Sequence, residues 1–442
     1  MKITKQLLQS FQESYDQNPS NKLVEGAISN VGIQQASLNN EVNRRHPFTF
    51  SHTTTKGDIT NQKQSGRCWM FAALNTARVD TMNKLNVETF EFSQTYTLFW
   101  DKLEKSNYFL ESILETLDEP TDSRLIMHLL TAPVQDGGQW DMFAGILEKY
   151  GVVPKSVMPE TFHSSNTMGL NRVLTSKLRE NAHTLRTSDA SLEELRDMKN
   201  GMLAHIYSIL TKALGPVPTT FTYEYTDKNK EFHRISDITP QDFFKKYIGW
   251  NLKDKVSLIN APQASKPYNK LYTVKYLGTV KELYPVRYLN VEIDVLKQAA
   301  IKSIKNNEPV WFGCDVGKQS TRDTGIMDLH AYNYSDTLND DIKLSKGERL
   351  DYGESLLTHA MVFTGVNLDE NEKPLTWQVE NSWGEKPGKK GIFSMSDDWF
   401  DEYNYQIMVD KKYLPQEALD LLDGEVVELE PWDPMGALAL VK

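Results

Sequence analysis

The spacing of apolar residues changes part-way along the chain, and this change constrains the fold more than any other feature. Leu7, Leu8, Phe11 and Tyr15 recur at helical spacing near the start, and the chain then reads as an extended arm to about residue 60. Gly66 marks a turn. The run after it, CWMFAALNTARVDTMNKL, is helix-forming, begins at Cys68, and offers Phe71, Leu74, Val79 and Met82 for burial. Ser93 is a good N-cap for a second helix through TYTLFWDKLEK. Gly137 and Gly138 break the chain before a short helix that ends near Gly151, and a polar, lysine-containing stretch follows to about residue 190. Ser191 and Glu194 form a capping-box pattern. Leu195, Met198, Met202, Ile206 and Ile209 then share a helix face, and Gly215 with Pro216 stops that helix. Residues 220–290 alternate short Tyr-rich, strand-like runs with Pro and Asn turns. Helical spacing returns through Ile293, Leu296, Ala300 and Ile304, after which PVWFGCDVG (309–317), HAMVFTGVN (359–367) and WQVEN (377–381) read as strands. A mainly helical first half and a mainly β second half argue for α+β, with the cleft between the two kinds of layer as the natural site.

Composition mainly excludes. At 442 residues, 39% hydrophobic and 10% aromatic, the chain can bury a large core in two or three packed units. The formal net charge of −11 and the lack of a basic–aromatic stripe speak against nucleic-acid binding. No apolar run is long enough for a membrane span, and the opening MKITKQLLQSFQESYDQ has no signal-peptide core. The only cysteines are Cys68 and Cys314, which make neither a disulfide framework nor a CxxC metal site, so no metal or other cofactor is expected. A cytoplasmic setting is the expectation, and it suits a working free thiol.

Acyl transfer by a thiol needs a thiolate, a base, a group that orients the base, and donors for the oxyanion. Cys68 stands at a helix start, where unpaired N–H groups and the dipole favour the anion. Gln62, six residues upstream across the glycine turn, can supply a second oxyanion donor from its side-chain amide. Among nine histidines, His359 opens an apolar strand and so stands on a rigid platform. Asn381, in ENSWG (380–384), can hold one imidazole nitrogen, and Trp383 can cover that bond. His330, in the polar loop DLHAYNYSD, is the rival base, and Cys314 lies mid-strand in an apolar run that marks it as core.

The order of these features is more specific than any one of them. QKQSGRCW (62–69), the glycine pair, the strand around PVWFGCDV, HAMVFTGV and ENSWG follow the order found in papain-like cysteine peptidases, and the chain resembles that family. It departs in lacking the second cysteine beside the nucleophile, the disulfide cysteines and a pro-segment. Cys68 and His359 are also 291 residues apart (359 − 68), against roughly 130–150 in papain-type enzymes, so about 150 residues are inserted, most of them between Gly138 and Pro309. The intracellular branch with these features is the bleomycin hydrolase and bacterial aminopeptidase C family, whose C-terminal end the tail EPWDPMGALALVK (430–442) resembles.

That resemblance implies a papain-like two-lobed core with a large, mainly helical insertion. Its expected divisions are an N-terminal helix and arm (1–60), a helical lobe carrying the nucleophile (61–153), an insertion serving oligomerisation (154–288), a β-rich lobe (289–430) and a C-terminal arm in the cleft (431–442). It implies Cys68 as nucleophile, His359 as base, Asn381 as orienting amide and Gln62 as oxyanion donor. Gly137 and Gly138 would pair with substrate backbone, beside Trp383, and the tail from Ala439 to Lys442 would form the blunt end of the site. The expected activity is removal of N-terminal residues from peptides with a free N-terminus, by a homohexamer, through a thioester acyl-enzyme. Lys442 would be open to trimming by the enzyme itself. Two alternatives share these residues: a broad amide hydrolase of bleomycin type, and a nucleic-acid-binding hexamer with secondary peptidase activity.

Overall fold

The protein is described from a computed structural model covering residues 2–438. At its centre lies the helix Cys68–Leu85, buried on almost every side by Trp69, Phe71, Leu74, Ala77 and Met82. Its buried polar residues Asn75, Thr76, Arg78 and Thr81 all have hydrogen-bond partners, as burial requires. It ends at Asn86 in the left-handed region (φ 53°), which asparagine tolerates. The next helix, Gln94–Leu114, is capped as its sequence indicates: Ser93 Oγ accepts from the Tyr96 N–H at 3.0 Å. Against it pack Met168–Arg186 and Leu192–Leu214. Ser191 and Glu194 close their capping box, with Ser191 N–H donating to Glu194 Oε2 at 2.7 Å.

Two regions are more helical than the sequence reading has them. The expected N-terminal arm contains helices Ser20–Val31 and Asn40–Arg45, and only the stretch after it runs extended into the core. Ser20–Val31 buries nothing, so its apolar residues have no polar face opposite a core to mark them as a helix. The polar stretch before residue 190 holds helix Met168–Arg186, where Leu170, Leu174, Leu178, Ala182 and Leu185 form one buried stripe beneath a charged surface.

The β half is one twelve-stranded sheet among the described residues. At its heart His359–Leu368 runs antiparallel between Val310–Cys314 and Pro374–Glu380, and Asn404–Asp410 follows on the far side of Val310–Cys314. Lys255–Ile259, Lys270–Val274 and Tyr288–Asn290 extend it further. The sheet therefore draws strands from upstream of residue 289, where the sequence boundaries begin the β lobe. Strand alternation divides the core in two. Trp311, Ala360, Val362 and Met408 face the Cys68 helix. Phe312, Met361, Phe363 and Trp377 face helix Ile293–Lys305, and Cys314 is fully buried among them, as its apolar run indicates. Each large apolar side chain so buried contributes about 1.5–3 kcal/mol.

Candidate active site

The catalytic candidates converge where the start of the Cys68 helix meets the start of the His359 strand. The turn before Cys68 is held by buried charge. Gly66 N–H donates to Asp136 Oδ2 at 2.8 Å, and Asp136 is also bonded by Lys102 Nζ at 2.7 Å and Asn171 Nδ2 at 2.8 Å. Despite its burial, Lys102 and these hydrogen bonds hold the Asp136 carboxyl well below the usual carboxylate range. Arg67, fully buried, forks onto both oxygens of Glu160 at 3.0 and 2.9 Å. These contacts fix the turn that leads into Cys68.

Facing it, His359 is fixed by the strand behind and by a buried carboxylate below. Asp315 accepts from Ser355 Oγ at 2.8 Å and Thr358 Oγ1 at 3.1 Å, and so locks the loop that enters the strand. His359 Nε2 lies 3.0 Å from Asn381 Oδ1. That oxygen also accepts from the Ser382 N–H at 2.8 Å, which identifies it as the oxygen end of the amide. Nε2 must therefore carry the proton, leaving Nδ1 as the basic nitrogen. Trp383 covers the pair, its ring centroid 4.8 Å from the imidazole, and Arg322 lies over the indole at 4.9 Å.

Cys68 opens the helix that packs on this strand, and beside it Trp311 Nε1 donates to Trp69 O at 3.0 Å. Burial pushes the thiol up to about 11, against the pull of the N–H groups of Ala360, Trp69 and Cys68 itself. Burial likewise lowers His359 to about 4, with the Asn381 bond opposing it. Each group alone thus favours its neutral form. A thiolate beside an imidazolium is a different case, because the two charges compensate each other.

Gln62 joins the same cluster. Its N–H donates to Ser382 O at 2.8 Å, its Oε1 accepts from Ser382 Oγ at 2.7 Å, and its Nε2 donates to Ser65 O at 2.6 Å. One Nε2 hydrogen remains for an oxyanion. Gly138 backs onto Trp69, whose indole carbons lie 2.6 Å from where a Cβ would sit. This packing accounts for its missing side chain without a substrate. Gly137 O accepts from Lys105 Nζ at 2.6 Å. His330 is exposed in its loop and is not part of the cluster. Ala439 and Lys442 lie outside the described residues. The C-terminal segment before them reaches the residue after the glycine pair: Gln139 Nε2 donates to Ala437 O at 3.1 Å.

Sequence reasoning missed Asp136, Lys102, Arg67 and Asp315. It also missed the buried pair Arg78–Glu380, 2.8 Å apart, which ties the Cys68 helix to the strand that leads into Asn381. Among the described residues Asp227, Glu231 and His233 lie close enough to hold a cation, but Asp227 is already engaged by the N–H groups of its own turn and by His233.

The Peptidase C1-like family model matches residues 2–436. The chain belongs to that family. Within the Peptidase C1-like family it is 49% identical to aminopeptidase C of Listeria innocua over 99% of both chains. It is 45% identical to aminopeptidase C of Lactococcus lactis subsp. cremoris, over 99% of this chain and all of that one. With mouse bleomycin hydrolase it shares 45% identity over 86% of each. The crystal structure of PepW from Lactobacillus rhamnosis superposes with a TM-score of 0.97 at 51% identity, covering 99% of both chains. An α+β, papain-like core is the architecture of this chain.

Proposed function

We propose that this chain is a cysteine aminopeptidase in which Cys68 attacks the carbonyl of the first residue of a peptide. The observation that carries the reading is the His359 Nε2–Asn381 Oδ1 contact on the strand against which the Cys68 helix packs, set in a family whose relatives are named aminopeptidase C. His359 Nδ1 takes the thiol proton as sulfur attacks. The tetrahedral oxyanion is met by the Cys68 N–H and the free hydrogen of Gln62 Nε2. Collapse expels the amine, which takes the proton from His359, and leaves a thioester. Water, deprotonated by Nδ1, then releases the amino acid.

The arm supplies the restriction to N-terminal residues. Ala437 O accepts from Gln139, the residue after Gly138, and a chain end continuing from there into the cleft would block longer peptides and present its carboxylate to the substrate's α-amine. A bleomycin-type amide hydrolase uses the same residues and is favoured by the match to mouse bleomycin hydrolase. Assembly fits the N-terminal helices. Lys5–Asp16 and Ser20–Val31 bury no residue and expose Phe11 (55%) and Leu23 (78%), apolar faces that a symmetric homohexamer would cover. No helix among the described residues is long and apolar enough to cross a membrane, and both cysteines are free, which fits a cytoplasmic enzyme.

The deciding experiment compares an aminoacyl amide reporter with the same reporter acetylated on its α-amine. Hydrolysis of the first alone is expected, with loss of that activity in Cys68→Ala. Equal turnover of both reporters would defeat the aminopeptidase reading.

A further inference from the structure

The C-terminal arm is held at more points than a passing tail needs. Asp433 Oδ2 pairs with Lys266 Nζ at 2.8 Å, and its Oδ1 caps the following turn through the Met435 N–H at 2.9 Å. Lys266 is almost fully buried and has a second acceptor in Gln263 Oε1 at 2.9 Å. Met435 is inserted into the core with its carbonyl bonded by Tyr288 OH at 3.1 Å. Gly436 passes so close to the sheet that a Cβ there would stand 3.0 Å from Val274. Gln139 then takes Ala437 O. Upstream of all these, Arg124 lies 3.9 Å over the Trp432 ring.

A contact at almost every residue from 432 to 437 fixes the arm along its length as well as in position. A slip by one residue would withdraw Met435 from its pocket, separate Asp433 from Lys266 and bring a side chain against Val274. All three penalties arise together, so intermediate registers have no partner set of their own.

We propose that Lys266, Tyr288 and Gln139 are positioning residues that hold the arm in one register, and that the Lys266–Asp433 ion pair determines how strictly the enzyme demands a free α-amine. This rests on the reading that the arm closes the cleft, and it assigns the closure to residues outside the cysteine–histidine pair. Lys266 and Tyr288 come from the sheet extension after residue 255, while Gln139 comes from the helical lobe. The latch therefore also reports whether the two lobes are seated on each other.

The test uses the full chain and the two reporters above, with variants Asp433→Asn, Lys266→Met and Tyr288→Phe. Asparagine keeps the cap on Met435 and removes only the charge. The ratio of amine-bearing to acetylated turnover is expected to fall at least tenfold in Asp433→Asn and Lys266→Met. The fall should come mainly from a raised KM for the amine-bearing reporter, with kcat changed less than twofold. Amide exchange at 435–438 should quicken in the same variants, which a merely structural lesion elsewhere would not single out. If Lys266→Met does not fold, Asp433→Asn decides alone. A ratio within twofold of the unaltered chain in the folded variants overturns the proposal. Deletion of residues 436–442 is run beside them. If the deletion relaxes the demand for an amine and the point variants do not, the latch is wrong and the blocking arm stands. If the deletion leaves the demand intact, the arm reading itself fails, and the latch with it.

Discussion

At the scale of single residues, the two thiols differ by their surroundings. Burial raises both thiols, but Cys68 opens a helix whose first-turn N–H groups favour its anion, whereas the neighbouring Asp315 pushes the Cys314 thiol further up. Cys68→Ala is therefore expected to abolish hydrolysis and Cys314→Ala to leave most of it. Iodoacetamide labelling followed by peptide mass analysis would read the same contrast, and faster labelling of Cys314 would contradict it. Gln62→Ala is expected to cost about 10²–10³ in kcat, the usual range for an oxyanion donor. A near-normal rate would mean that backbone donors suffice. His359 also carries a pH signature. Its folded value of about 4 lies below the ordinary ~6.5 of an unfolded chain, so on acidification the unfolded state takes up a proton that the folded state refuses. The stability it contributes is complete above pH ~6.5 and is lost as pH falls toward 4, by about 3 kcal/mol over the whole span. Urea midpoints at pH 7 and pH 5 should converge in His359→Gln relative to the unaltered chain. If the acid limb keeps its slope, other groups are responsible.

At the scale of elements, the Cys68 helix and the strands at 310, 359 and 374 are legible in the sequence because each carries its own local signal. Gly66 and Ser93 punctuate the helices, and β-branched and aromatic residues fill the strands. Gln62, Cys68, His359 and Asn381 are legible for a different reason, the order of motifs. The supports beneath them are not. Arg78 and Glu380 are 302 positions apart, and in sequence each looks like an ordinary surface charge. Asp136 reads the same way until Gly66 and Lys102 are seen around it. The pair Arg78–Glu380 is nearly inaccessible, so Glu380→Gln leaves a buried guanidinium without its countercharge and is expected to cost about 3–5 kcal/mol. Chemical denaturation measures it, and a cost under about 1 kcal/mol would show that water or relaxation solvates Arg78. Because the pair joins the Cys68 helix to the strand before Asn381, the proposed function has kcat fall along with stability.

At the scale of the whole molecule, a hexamer predicts a light-scattering mass six times the 50.6 kDa of one chain. A monomer or dimer at micromolar concentration would exclude it. Replacing the exposed Phe11 and Leu23 with serine should weaken the assembly without lowering the melting temperature of the core, because neither side chain is buried in the monomer. Mass analysis of purified protein also tests whether Lys442 is trimmed, since Cys68→Ala should then retain a residue that the active chain has lost.

The two ends of the chain each cross to the other half of the molecule. His52 and Thr53 pair with Val366 and Gly365 in the His359 strand, and Ala437 returns to Gln139 in the helical half. The order of synthesis therefore sets when the enzyme first becomes active. The Cys68 helix is complete long before the ribosome reaches His359, and the strand at 404–410, which lies between those at 255 and 310, comes later still. A nascent or prematurely terminated chain thus carries the thiol without its base, or the base without its sheet. On the proposed reading such a chain has no means of cutting its neighbours on the polysome, and the arm contacts from Trp432 to Ala437 form after every strand of the sheet has been made.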